Sequence, residues 1–371
     1  MQNHQLNVRH SNIELLRIVS MMLIITTHIF GHYVHMKGSC WPLPEGHIFY
    51  FTMKSISYIA VNMYIVISAY FLCCSKFKSK RIISIWIEVL FYSVTIWLFN
   101  YLLTGELGSP KTMIFAFFPI LMNQYWFATV FIGLLILSPF LNIAIRAFTK
   151  KQLRLLSLVL FLLFCIIPQC ISQVSKWLNM GGGVGITWFV TLYIWASYIR
   201  LYISKDYIQY NKYKFLFYGL LASIMPEILR MLIIVSTQVI VGHPMGGGFF
   251  YGNNMLFPTI ATVLLFMYFL TVKISNKTIN KIINKLASSS FAVYLIHDNV
   301  YIREMLKDVI PQFIQTNSSW FILQYVFVVF VIWLIATLID FIRQNLFRPI
   351  NKYLELRCVD REINKMYDTV D

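Results

Sequence analysis

Residues 15–34 read LLRIVSMMLIITTHIFGHYV. A run of about 20 mostly apolar residues is what a helix needs to cross the hydrocarbon of a bilayer, and this one contains Arg17 and His28. A cation and an imidazole inside a spanning segment are costly, and such residues mark pathways or active sites. Eleven residues of α-helix advance about 16.5 Å and turn about 1100°, which leaves the two side chains roughly 20° apart on one face. One helix thus carries a fixed positive charge near one membrane surface and a proton-transfer group half a bilayer away.

The rest of the chain has the same character. Of 371 residues, 58% are hydrophobic and 12% charged, with a mean hydropathy of +0.67, whereas soluble domains carry about 25% charged residues. The composition implies an all-α, polytopic integral membrane bundle of about ten transmembrane helices. The expected spans are about 14–34, 54–73, 82–103, 124–145, 155–175, 187–203, 215–241, 254–272, 289–309 and 320–342, the seventh interrupted at Pro226, Glu227 and Arg230. Residues 1–342 form the expected transmembrane domain and 343–371 a cytoplasmic tail. The first apolar run has no small-residue cleavage site and is expected to stay as a span.

The net charge of +16 would suit nucleic acid, but its distribution points elsewhere. The basic clusters KFKSKR (76–81), RAFTKKQLR (146–154), Arg200 to Lys214, Lys273 to Lys285 and the tail from Arg343 follow every second span. This alternation is the positive-inside pattern, which puts both termini in the cytoplasm. The expectation is therefore a multi-pass cell-membrane protein whose partners include membrane lipid and no nucleic acid. Six cysteines show no metal spacing or disulfide framework. The glycine runs 181–185 and 246–248 lack the Lys-Ser/Thr and strand–helix context of a phosphate loop and read as outer loops.

Several polar residues lie within or beside spans. Glu14 is one turn before Arg17 and positioned to pair with it. Arg17 reads either as a snorkelling orientation charge or as an anion clamp. His28 is too deep to snorkel easily, and its near-neutral titration suits proton transfer. His32 and His35 follow on the same face. His297 lies in SSSFAVYLIHDNVY with Tyr294 one turn before it; Asp298, adjacent, need not contact it, because neighbours on a helix diverge by about 100°. Glu227 and Arg230, at i and i+3, suit a structural pair or a broken helix beside a cavity. Ser68 in NMYIVISAYFL is the best-placed hydroxyl, but hydroxyls in spans usually bond to the backbone. No acidic residue or cysteine accompanies the three histidines of the first helix, and no metal is expected there.

At these residues the chain resembles the membrane acyltransferase family 3. Arg17 and His28 match that family's Arg-x10-His motif. NMYIVISAYFL is similar to its Phe-Phe-x-Ile-Ser-Gly-Tyr segment, with Ser68 and Tyr70 retained and Ala69 in place of glycine. KSKRII resembles the basic loop that follows, with Arg81 at a frequent arginine position. QYWFATVFIGLLILSPFLN is similar to the segment carrying Trp126 and Phe127 and ending in Ser-Pro. SSSFAVYLIHDN resembles the segment carrying Tyr294 and His297, with Ala292 where glycine is usual. The resemblance covers nearly the whole chain.

The resemblance implies an O-acyltransferase, most simply an acetyltransferase, that uses cytosolic acyl-CoA as donor substrate and a surface or lipid-linked glycan as acceptor, with no bound cofactor. It implies His28, Arg17, His297 and Tyr294 as catalytic residues, and Glu14, His32, Ser68, Tyr70, Arg81 and Trp126 as substrate-binding residues. Outer-loop aromatics such as Trp41, Tyr50 and Trp177 are candidate sugar-stacking surfaces. A transporter or flippase for a lipid-linked sugar is the alternative that the same intramembrane charges allow.

Overall fold

The computed structural model describes residues 10–178, 181–246, 248–348 and 357–368. Residues 1–9, 179–180 and 247 of the expected membrane domain, and residues 349–356 and 369–371 of the expected tail, lie outside the described residues. The described residues contain helices and no strands. The principal helices are α1 (Ser11–His32), α2 (His47–Ser57), α3 (Ile59–Leu72), α4 (Ser79–Thr104), α5 (Pro110–Phe117), α6 (Trp126–Ala147) and α7 (Lys150–Phe161). They continue with α8 (Ile186–Tyr202), α9 (Lys205–Tyr210), α10 (Lys212–Val241), α11 (Leu256–Phe269), α12 (Lys277–Ala287), α13 (Ser290–His297), α14 (Val300–Leu306), α15 (Phe321–Phe347) and α16 (Arg357–Asp368).

Among the described residues, seven helical stretches are long and apolar enough to cross a membrane, counting α2–α3 as one and Lys150–Cys170 as one. The other three expected spans are shorter or broken. Helix α8 has 17 residues and α11 has 14, while the ninth stops at His297 and restarts at Val300. Two helices are central: 61% of the apolar window of α1 and 67% of that of α2–α3 is buried inside the protein, against 17% for Lys150–Cys170 and 22% for α10. The first pair forms the core, and the second pair presents apolar flanks suited to lipid. Helix α1 packs against α2, α3, α12, α13 and α15.

Backbone and side-chain polar groups in an apolar medium must be satisfied internally. Two interior asparagines show how this is done. Asn62 donates to the Asn253 carbonyl at 2.6 Å and accepts from Trp188 Nε1 at 2.9 Å. Asn142 donates to the Leu72 carbonyl and accepts from the Tyr193 hydroxyl. Three of these bonds tie α3 to a distant helix or loop, and the Tyr193 bond ties α8 to α6.

The two ends of the bundle differ in charge. At one end the basic segments after α8 and α11 lie beside the start of α1; α16 caps the segment after α3, where Asp360 and Asn364 accept from the backbone N–H groups of Ser79 and Phe77. Helix α15 continues to Phe347, five residues past position 342. At the opposite end the connecting loops dock on one another. Gly183 has φ +85°, and a Cβ there would lie 2.7 Å from the Asn254 nitrogen, so the glycine run is a packed contact with the 253–254 segment.

Two expectations are corrected here. The seventh span is not interrupted: α10 runs unbroken through Pro226, and one turn before it the Ser223 carbonyl accepts from the Ser55 hydroxyl at 2.7 Å. Neighbouring side chains of this kind are what make proline tolerable in a membrane helix. Glu227 and Arg230 form a buried pair, with Nε to Oε2 at 2.6 Å and Nη2 to Oε1 at 2.7 Å. Arg230 also donates to the Gly38 carbonyl, stacks over Phe51 at 3.8 Å, and shares Glu227 with the Tyr251 hydroxyl. The pair therefore clamps two loops. Tyr50 is also no sugar platform: it is buried, and its hydroxyl donates to the Phe30 and Val34 carbonyls. Trp41 and Trp177 are exposed.

Removing Glu227 would leave an arginine charge buried at 1% exposure. Glu227→Ala is expected to cost about 3–5 kcal/mol, read as a lower Tm of the purified protein in detergent. An unchanged Tm would contradict the clamp.

Candidate active site

The site is built where α1 meets α13. His28 Nδ1 lies 2.9 Å from His297 Nε2, and His297 Nδ1 lies 2.5 Å from the Val293 carbonyl one turn back on α13. A carbonyl only accepts, so His297 Nδ1 carries a proton. In the neutral ring its Nε2 is then an acceptor, and His28 Nδ1 must donate to it. The lone pair of neutral His28 is thereby left on Nε2, the form a general base requires.

Helix α13 ends at His297, and this break brings Asp298 back to the same place. Its Oδ1 lies 3.5 Å from His28 Nδ1, 3.6 Å from His32 Nε2 and 3.5 Å from Arg303 Nη1. These are electrostatic contacts rather than hydrogen bonds. Arg303, on α14, also approaches His32 at 3.3 Å. His28 is thus joined through Asp298 to His32 and Arg303, whose side chains are each 34% exposed. Asn299 locks the break by donating to the Tyr125 hydroxyl at 2.6 Å and accepting from the Tyr301 N–H. Among the described residues, no set of three or more His, Cys, Asp or Glu side chains is arranged to hold a metal.

His28 lines a narrow cavity of about 20 Å³ walled by Tyr64, Trp126, Phe127, Phe291 and Tyr294. The space suits one small group. A second cavity, about 270 Å³, shares Tyr64, Phe127 and Phe291 with it and extends to Glu14, Arg17, Ser68 and Glu88. A third, about 660 Å³, shares Glu88 and Ser288 with the second and opens among Lys80, Lys285, Arg343 and Arg348 at the basic end. Shared walls put the three in series, from the basic end past Arg17 to His28.

The expected residues divide accordingly. His28, His297 and Tyr294 come together, Trp126 walls the cavity beside them, and His32 joins through Asp298. Arg17 and Glu14 line the middle cavity as an ion pair, with Nη1 at 2.8 and 3.0 Å from the two carboxylate oxygens. Ser68 lines the same cavity, but its hydroxyl donates to the Tyr64 carbonyl, the usual backbone bond of a helical serine. Tyr70 is not part of this series: it faces the opposite side of α3, where its hydroxyl accepts from Arg200 at 3.1 Å. Arg81 lies outside the three cavities and donates to Ser75.

Asp298, expected only as a neighbour of His297, joins the site through the helix break, and Arg303, Tyr64 and Glu88 are further residues of these cavities and contacts. Tyr64 borders both inner cavities and its hydroxyl donates to the Arg17 carbonyl at 3.0 Å. Glu88 joins the second cavity to the third and is paired with Arg343 at 3.0 Å. Glu88 and Tyr64 stand at helical positions within apolar runs; the only available signal was their polarity.

The hydrogen-bond chain makes one spectroscopic prediction. In ¹⁵N-histidine-labelled protein at neutral pH, His28 is expected to show a protonated Nδ1 and an unprotonated Nε2. The opposite tautomer would contradict the chain.

A profile of the acyltransferase family 3, described as an acyltransferase domain, matches residues 10–338. No curated protein and no solved structure gives a match. The matched region begins just before α1, ends within α15, and contains His28, His297 and the walls of the two inner cavities, while Arg343 and Arg348 of the third lie beyond it. The ordered motifs, the apolar helices and this match agree: the chain belongs to the membrane acyltransferase family 3 and is an acyltransferase.

Proposed function

We propose that the protein transfers an acetyl group from cytosolic acetyl-CoA to a hydroxyl of a surface or lipid-linked glycan. The observation that carries this reading is the His28–His297–Val293 chain, which leaves His28 Nε2 to accept a proton beside the first of three cavities that share walls toward the basic end. In this mechanism His28 Nε2 takes the proton of the acceptor hydroxyl. The hydroxyl oxygen attacks the thioester carbonyl, the carbon–sulfur bond breaks, and the departing thiolate takes up the proton from His28. His297 holds the ring in register through Nδ1, and Asp298 stabilises the imidazolium when it forms.

The cavity series divides the donor. Lys80, Lys285, Arg343 and Arg348 suit the phosphates of the donor nucleotide at the basic end. Arg17, already paired with Glu14, suits the narrower arm and thioester rather than a polyphosphate. The 20 Å³ space beside His28 suits a short acyl group better than a long chain. The positive-inside pattern supports a cytosolic basic end. The multi-pass apolar fold supports the cell membrane as its location. A flippase would need none of the His28–His297 geometry, and family membership favours acyl transfer.

Positioned acid–base groups contribute about 10²–10⁴-fold. His28→Ala, at matched membrane expression, is expected to lower acetylation of the cell's surface glycan by that range, measured by mass spectrometry of the released glycan. Arg17→Ala is expected to raise the apparent KM for acetyl-CoA. Wild-type acetylation in His28→Ala would overturn the assignment of the base.

A further inference from the structure

Tyr70 is retained from the motif that includes Ser68, yet it opens on a separate cavity of about 420 Å³ at the basic end. No lining residue of this cavity is shared with the three that lead to His28. Parts of five elements converge on it: the start of α1, the ends of α3 and α8, α9, and the segment after α11. Arg200, Lys205 and Lys273 face a single carboxylate, Asp206, so the cavity is net cationic. The Arg200 guanidinium is held in place, 4.8 Å over the Tyr70 ring and hydrogen-bonded to its hydroxyl.

The surroundings of this cavity indicate its depth in the membrane. Tyr207, Tyr210, Tyr213 and Phe217, on α9 and the first turns of α10, are 55%, 85%, 71% and 64% exposed. Tyrosines clustered in this way mark the level of lipid headgroups. Phe71, at the cavity wall, is itself partly exposed and continues the apolar flank of the bundle. A cationic pocket at headgroup depth with an apolar flank matches an anion that carries an acyl tail.

We propose that this cavity binds the phosphate-bearing headgroup of an acidic phospholipid. Arg200 and the two lysines contact the phosphate, and the acyl chains lie along the flank beside Phe71. Because the cavity includes the first residues of α1, the bound lipid would brace the end of the helix that carries Arg17 and His28. The inference is independent of the acyl donor and acceptor.

The test uses the full-length protein in nanodiscs of phosphatidylcholine with a minor share of phosphatidylglycerol, followed by native mass spectrometry. The wild type is expected to retain phosphatidylglycerol in preference to phosphatidylcholine. Lys205→Gln/Lys273→Gln changes two exposed side chains, so its fold is not at risk. It is expected to weaken that retention roughly 30-fold, the effect of losing about 1 kcal/mol for each of two basic groups. Equal retention in wild type and variant would overturn the proposal. So would displacement of the lipid by adenosine 3′,5′-bisphosphate at stoichiometric concentration, which would make the cavity a soluble-phosphate site.

Discussion

The hydrogen bond between His28 Nδ1 and His297 Nε2 joins the first helix to one 269 residues later in the chain. Two imidazoles withdrawn from water must find partners, since an unsatisfied polar group in hydrocarbon costs several kcal/mol. They satisfy each other, and the Val293 carbonyl satisfies the remaining nitrogen of His297. Much of the local architecture follows from that constraint. Helix α13 ends at His297, Asp298 turns toward α1, and Asn299 starts the next helix while bonding Tyr125. The ninth span is broken because a continuous helix would carry Asp298 about 100° away from the pair it serves.

The first helix was legible because both of its costly residues lie in one run and one helical repeat relates them. The charge alternation was also legible, and it describes how the basic segments gather at one end of the bundle. Asp298 was legible as a residue but not as a partner, since its position depends on a helix break that no proline or glycine announces. Ser68 and Tyr70 illustrate a different limit. They are two residues apart in one motif, and two residues turn a helix by about 200°, so they face different cavities. Pro226 announced a break that tertiary contacts cancelled, through the Ser55 hydroxyl and the Glu227–Arg230 clamp. Tyr50 lay in a loop-like stretch that the structure instead folds into α2 and buries beneath α1.

Charge is distributed along the cavity series with a gradient of pairing. The outermost basin holds several cations around Glu88. Farther in, Arg17 is neutralised by Glu14. At the deepest point lies the His28–His297 pair, with Arg303 standing behind Asp298. A polyanion is thus favoured at the mouth, and only a small neutral group has room at the end. This ordering suits a reaction in which a charged carrier stays at one surface and delivers a small acyl group inward.

The proposed reaction takes its donor from the basic end, and with a surface glycan as acceptor it predicts acylation at the opposite end. Proteoliposomes with the protein sorted by orientation, given radiolabelled acetyl-CoA only on the side of the basic end and glycan acceptor only on the opposite side, test it directly. The predicted result is labelled ester on the acceptor across an intact bilayer, absent with His28→Ala. Labelling only when donor and acceptor share one compartment would contradict it.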